Sequence, residues 1–285
     1  MSSQQQGHWG KFADCQQNVQ SQIMSAKPAF VGQMEAGLAL LRKAERFYLP
    51  NGSDILQEKE IEPLKRFFRS PFGVVAILHE ISIRNPIPGW PDKIWSITVG
   101  ASSRPDDSDT AASDTVVLFS FNQEFSGGHP VWAVTPYTCV MRFDAGPGMG
   151  IFLVDGPEAH ALLAAGASIS KLVTEFMEDA QAWMNLCLLC NVQNTATVKI
   201  EAPEKLNRAR IKSGKDPFHS YRVLQIGGER WDSPYVSEGQ GAGRRSHLRR
   251  GHIRHIQDGR LTWVRDTIVK GSKPGFVHKD YVVAA

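Results

Sequence analysis

Along this chain, stretches in which apolar residues recur every three or four positions give way to stretches in which they alternate or run together, so helix and strand textures follow one another. Between Ala36 and Phe47, Leu38, Ala39, Leu41 and Ala44 share one helical face, opposite Arg42, Lys43, Glu45 and Arg46. The chain to about Arg84 therefore reads as helical, with a break at Asn51 to Asp54 where Ser53 or Asp54 is placed to cap a following helix. Pro71 to His79 is a nearly unbroken apolar run, for which periodicity does not separate a helix from a buried strand; a helix is expected. From Trp90 the texture is β: Ile94 to Val99, Thr115 to Phe121, Val131 to Val134 and Thr138 to Phe143 are short β-branched and aromatic runs bounded by turn residues. From Glu158 to Leu189 the helical period returns, predicting one long helix or two. A polar segment, Glu201 to Asp216, precedes a strand at Tyr221 to Ile226.

These elements predict an α+β fold. Its body covers residues 1–240: helical over 1–85, an antiparallel β meander over 90–155 packed on a long helix at 158–190, and a polar linker with a strand over 196–240. A basic β-hairpin module then occupies 241–285, beyond the glycines Gly227, Gly228, Gly239, Gly241 and Gly243 that mark a flexible boundary.

Composition changes this picture little until charge is located. With 285 residues and 42% hydrophobic side chains the chain can bury a core without staples. Its four cysteines are scattered; Cys187 and Cys190 form a C-x-x-C inside an apolar helical run, where thiols read as packing rather than redox or zinc chemistry. Scattered cysteines, a polar start and the lack of any apolar run of about 18 residues predict a cytoplasmic protein with no membrane partner. The loop from Ser102 to Asp114 carries four acids and reads as a solvated hairpin connection, because it lacks the spaced glycine and closing glutamate of a calcium loop. No cofactor is expected.

The net charge of +3 conceals an asymmetry: residues 1–200 sum to −5, residues 201–240 to +1 and residues 241–285 to +7. The basic excess is an electrostatic footprint for a polyanion. It begins Arg244, Arg245, Ser246, His247, Leu248, Arg249, Arg250, Gly251, His252, Ile253, Arg254, His255, turns at Asp258 and Gly259, and returns through Arg260, Trp263 and Arg265. Asp-Gly between two alternating runs is a strong hairpin signal. Read as one straight strand, the outgoing arm puts His247, Arg249, Gly251, Ile253 and His255 on one face and Arg250, His252 and Arg254 on the other. Guanidinium groups on both faces suit a phosphate backbone, Gly251 permits close backbone approach, and Trp263 offers a stacking platform for an unpaired base. RNA or the ribosome is the expected partner.

Other chemistries compete for the same residues. The arginines also suit a solvated strand edge that resists aggregation. A metal site of His247, His252 and His255 is opposed by the surrounding cations and by the length of a straight strand between the outer two. His252 or His255 acting as general acid or base, with arginines stabilising charge on phosphate, would make a ribonuclease. A ribbon entering the major groove would make a DNA-binding regulator.

The run His247, Leu248, Arg249, Arg250, Gly251, His252, followed by a Trp-Val strand and a closing apolar, Val-containing segment, resembles the C-terminal signature of a phage and plasmid protein family that includes the type V-A anti-CRISPR inhibitor of CRISPR nuclease biogenesis. An upstream Pro-Asp before an aromatic strand (Pro91 to Trp95) and an apolar helix ending near Leu186 to Cys190 are similar in order. Arg249, Arg250, Gly251 and His252 match the motif, whereas Ile253 stands where the family usually has Trp. The resemblance implies a mobile-element protein that recognises a nascent polypeptide during translation and causes loss of its mRNA. The identity of that target lies outside the matching residues.

Overall fold

The computed structural model describes residues 3–26, 28–49, 64, 67, 68, 70, 72–82, 91–103, 115–126, 129–143, 151–193, 195–226, 245–249, 252–255, 260–264, 267–269 and 273–277. The chain divides into two compact units, Met1–Cys190 with Thr197–Leu224, and Asn191–Ala196 with Gln225–Ala285.

The first unit is built on a mixed nine-stranded sheet. Its strands are β1 (Glu45–Tyr48), β2 (Val74–Ser82), β3 (Lys93–Ser103), β4 (Thr115–Ser126), β5 (His129–Val134), β6 (Thr138–Arg142), β7 (Ile151–Asp155), β8 (Thr195–Ile200) and β9 (Tyr221–Ile226). They lie in the order β7-β6-β4-β3-β2-β1-β9-β8. The far side of β4 is shared, Thr115 to Leu118 pairing with β6 and Phe121 to Ser126 with β5. Pairing from β2 to β7 is antiparallel, but β1 runs parallel to both its neighbours, β2 and β9.

Helices cover both faces of this sheet. On one side lie α1 (Ser3–Ile23) and α2 (Pro28–Lys43). Phe12, Cys15, Val19 and Ile23 of α1 and Met34, Leu38 and Leu41 of α2 form one buried cluster with Ala76, Leu78, Ile97, Val99, Phe119 and Phe121. Strand periodicity then turns Val75, Ile77, His79, Ser96, Thr98, Leu118 and Ser120 to the opposite face, and these too are buried. There α5 (Met177–Cys190) lays its Trp183 against Gly100, at a distance that leaves no room for a Cβ. Trp183 also stacks on Phe143 at 5.9 Å between ring centroids, and Phe143 meets Phe68 at 5.5 Å.

Burial on both faces explains the first correction. The run from Pro71 to His79 is not a helix but leads into β2, whose residues 75–79 are all buried and so show no polar alternation. Hence the chain to Arg84 is not helical throughout. The helix expected to reach Phe47 stops at Lys43, and Arg46 is not on a solvent face: it sits on β1, 8% exposed, donating through Nη1 to the Ala44 carbonyl (3.2 Å) and through Nη2 to those of Leu41 (2.9 Å) and Arg42 (3.3 Å). It thereby satisfies main-chain acceptors at the end of α2 that the helix itself leaves open.

The expected long helix over 158–190 is three helices, α3 (Pro157–Ala164), α4 (Ile169–Thr174) and α5. Gly166, at φ 93°, ends the first, and Ser168 caps the second by accepting from the Lys171 amide at 3.2 Å. The polar stretch taken as a linker contains α6 (Glu204–Lys212), held to the following chain by Asn207, which exchanges two hydrogen bonds with the Phe218 main chain (2.9 and 2.7 Å). The break at 51–54, the tip of the acidic loop at 104–114 and the glycine boundary at 227–243 lie outside the described residues.

Candidate functional site

In the second unit the basic arm is not one strand. It forms β10 (Arg245–Arg249) and β11 (His252–His255), which belong to different sheets. β10 is the middle strand of three, antiparallel to β13 (Thr267–Val269) and parallel to β14 (Lys273–Val277), with a register shift between Arg245 and Ser246. β11 pairs antiparallel with β12 (Leu261–Val264), matching His252 to Val264, Ile253 to Trp263, Arg254 to Thr262 and His255 to Leu261. The two faces read from a single straight strand therefore do not persist from His247 to His255, and the distance inferred between those two residues has no basis.

Among the proposed ligand-facing residues, Arg245, His247 and Arg249 lie on β10, His252, Arg254 and His255 on β11, Arg260 just before β12 and Trp263 on it; Arg244, Arg250, Gly251 and Arg265, with the Asp258-Gly259 turn, fall outside the described residues. Arg254 and Arg260 are exposed, whereas Leu261 is buried and Ile253 half-buried. Cross-strand partners share a face, so Ile253 and Leu261, two places apart in register, give this ribbon an apolar side, and Arg254 with Thr262 gives it a polar one. The amide of Gln193 donates to the Leu261 carbonyl at 3.1 Å, tying β12 to the segment Asn191–Ala196.

Position in the sheets weighs the alternatives. β10 lies between two strands, but among the described residues only His247 pairs on both sides: Arg245 pairs with β14 alone and Arg249 with β13 alone, so the edge reading stays open for both, as it does for the two-stranded β11–β12 ribbon. His252 and His255 are the first and last residues of β11, three positions apart on one strand. Among the described residues, no three His, Cys, Asp or Glu side chains are grouped to hold a metal ion. The C-x-x-C is inert packing by chemistry: Cys187 is buried, and burial pushes the Cys190 thiol up to about 11, away from the thiolate that nucleophilic or metal-binding sulfur needs.

Sequence reasoning passed over a second constellation in the first unit. His79 of β2, Ser96 and Thr98 of β3 and Asp179 of α5 are buried together between sheet and helix. Ser96 Oγ donates to Asp179 Oδ1 at 3.1 Å, Thr98 Oγ1 donates to the same oxygen, and His79 Nε2 lies 2.7 Å from Thr98 Oγ1 and 3.4 Å from Asp179 Oδ1. With the Thr98 proton committed to Asp179, its hydroxyl accepts from His79 Nε2–H, which fixes the tautomer and leaves His79 Nδ1 and Asp179 Oδ2 without partners among the described residues. The residue types are those of a hydrolytic triad, but here the hydroxyl stands between imidazole and carboxyl, and all four side chains are shut away from solvent. What the arrangement does is clamp α5 to the sheet. Its sequence signal is a lone His ending an apolar run and a lone Asp inside one.

No protein-family model, no curated protein and no solved structure matches this chain.

Proposed function

We propose that this protein is a mobile-element, anti-defence-like RNA- or ribosome-binding inhibitor. The basic C-terminal unit anchors on RNA, and the acidic α+β body reads a nascent polypeptide or other protein target whose expression it suppresses. What supports the reading is above all the net +7 of residues 241–285 against −5 for residues 1–200. Exposed Arg254 and Arg260 on the β11–β12 ribbon are consistent with it, as is the resemblance carried by Arg249, Arg250, Gly251 and His252.

In this reading the protein is not an enzyme. Phosphate contacts supply affinity by displacing condensed counterions, and specificity comes from the protein partner. Retention of single-stranded RNA on filters falls steeply with salt. The double substitution Arg249→Ala with Arg250→Ala lowers the slope of log affinity against log salt by about 1.4, two phosphate contacts at ~0.7 each. Identical curves for wild type and double variant would remove the basis of the proposal.

A further inference from the structure

The first unit carries a basic island. Residues 204–216, which form α6 and the turn after it, hold five Lys and Arg against Glu204 and Asp216, a net of +3, whereas residues 1–200 sum to −5. Asp14 of α1 acts through space on Arg210 and Lys215, which brings the local charge to +2.

Helix α6 is attached by one side. Asn207 bonds the Phe218 main chain, and Arg210 donates from Nε to the Asp216 carbonyl at 2.7 Å while its guanidinium covers the Phe218 ring, 4.2 Å from the centroid. No residue of the helix is buried. Lys205, Arg208 and Lys212, spaced i, i+3 and i+7, share the opposite side and are exposed, as is Lys215 just beyond the helix. At 1.5 Å of rise per residue, Lys205 to Lys212 spans about 10 Å along the axis. Arg208 is paired with Glu204 at 3.0 Å, but among the described residues Lys205, Lys212 and Lys215 meet no carboxylate at ion-pair distance.

Helix stability explains only part of this pattern. Arg210 and Lys212 complement the macrodipole at the C-terminal end, but Lys205 stands in the first turn, where a cation opposes it. The helical period puts Leu206 and Ile211 towards the flanks of the outward side, so it lacks the central apolar stripe by which a helix enters a membrane surface. The helix has no aromatic side chain on which a base could stack. What remains is a row of accessible, uncommitted charges, suited to phosphates and indifferent to base identity.

We infer that the outward side of α6, with Lys205, Arg208, Lys212 and Lys215, is a docking surface for the phosphodiester backbone of RNA. This rests on the reading of the protein as RNA-binding and adds a contact outside the basic C-terminal unit.

The test uses the full-length protein and filter retention of a single-stranded oligouridylate over a range of salt. Replacing Lys205, Lys212 and Lys215 together by Gln lowers the slope of log affinity against log salt by about 2, three contacts at ~0.7 each. The same three positions as Arg keep the wild-type slope. A control that removes equal charge from exposed sites elsewhere on the first unit, Lys43→Gln with Lys93→Gln and Lys171→Gln, also keeps it. Combined with Arg249→Ala and Arg250→Ala, the Gln variant loses slope additively. A loss at α6 with none from the Arg249→Ala, Arg250→Ala protein would uphold this surface and remove the C-terminal anchor; the converse would remove this surface alone. An unchanged slope in the Gln variant, or an equal loss in the control, overturns the inference. So does α6-dependent binding of polyglutamate or phosphatidylserine vesicles with RNA binding unaffected, which would assign the surface to an acidic polypeptide or a membrane.

Discussion

A Cβ at position 100 would stand 2.4 Å from Cδ1 and 2.5 Å from Nε1 of Trp183, so glycine there is what lets the Cδ1–Nε1 edge of the indole close on β3. Gly100→Ala forces the indole or α5 to shift, and overpacking of this kind costs about 1–3 kcal/mol. The expected result is a lower urea midpoint with an unchanged slope. At Gly37 a Cβ would meet the Phe119 ring at 2.9 Å, but there alanine also gains about 1 kcal/mol of helix propensity, so the two effects oppose. His219 makes a second prediction. Burial, then the Arg46 guanidinium, depress its pKa to about 4, and its Nε2 lies 3.2 Å from Gln16 Oε1. Between pH 6.5 and 4 the unfolded chain takes up a proton at this residue that the folded chain refuses. The stability it contributes is fully present above pH 6.5 and drains away as pH falls towards 4. Since the ring is partly exposed, screening reduces the effect to roughly 1–2 kcal/mol. Denaturation curves at pH 7 and pH 4.5 should diverge less for His219→Gln than for wild type; equal divergence would assign the acid sensitivity elsewhere.

Helix α5 shows how an element is fixed by a few polar atoms inside an apolar interface. Asp179→Ala strips two hydroxyls of their acceptor and leaves His79, Ser96 and Thr98 buried without it, at a cost of about 3 kcal/mol; Asp179→Asn keeps an oxygen in place and costs less. Chemical unfolding should rank them wild type, Asn, Ala, and a stable Asp179→Ala protein would show that the clamp is incidental. The same element shows what could be read from the chain in advance. Apolar period alone carried the helical texture of residues 177–190, and the punctuation by Gly166 and Ser168 was present in the sequence but outweighed by that period. β2 was misread for a different reason: a strand covered on both sides loses the alternation by which strands announce themselves. The α6 helix went unseen because its exposed faces, with Leu206 and Ile211 open to solvent, carry no buried stripe to detect. The polar clamp was invisible, since it joins residues up to 100 positions apart through a fold not yet known.

At the scale of the molecule, charge was legible because counting it needs no structure, whereas the pairing of β10 with β13 and β14 was not, the short strands Thr267–Val269 and Lys273–Val277 bearing no strong pattern of their own. No helix among the described residues is long and apolar enough to cross a membrane. Opposite charge in body and tail also sets behaviour in bulk. Below about 50 mM salt, where screening lengths exceed 10 Å, the −5 and +7 regions of different molecules attract. Light scattering should report self-association that disperses as salt is raised, and a particle size independent of salt would contradict it. One feature of the sheet bears on how the protein comes into being. β1 is held between β2 and β9, and its second partner is encoded some 175 residues downstream. During synthesis, that flank of β1 waits open until Ile226 has left the ribosome. The interval is the one in which an unfinished copy is most apt to accept a foreign strand, and chaperone dependence should concentrate there.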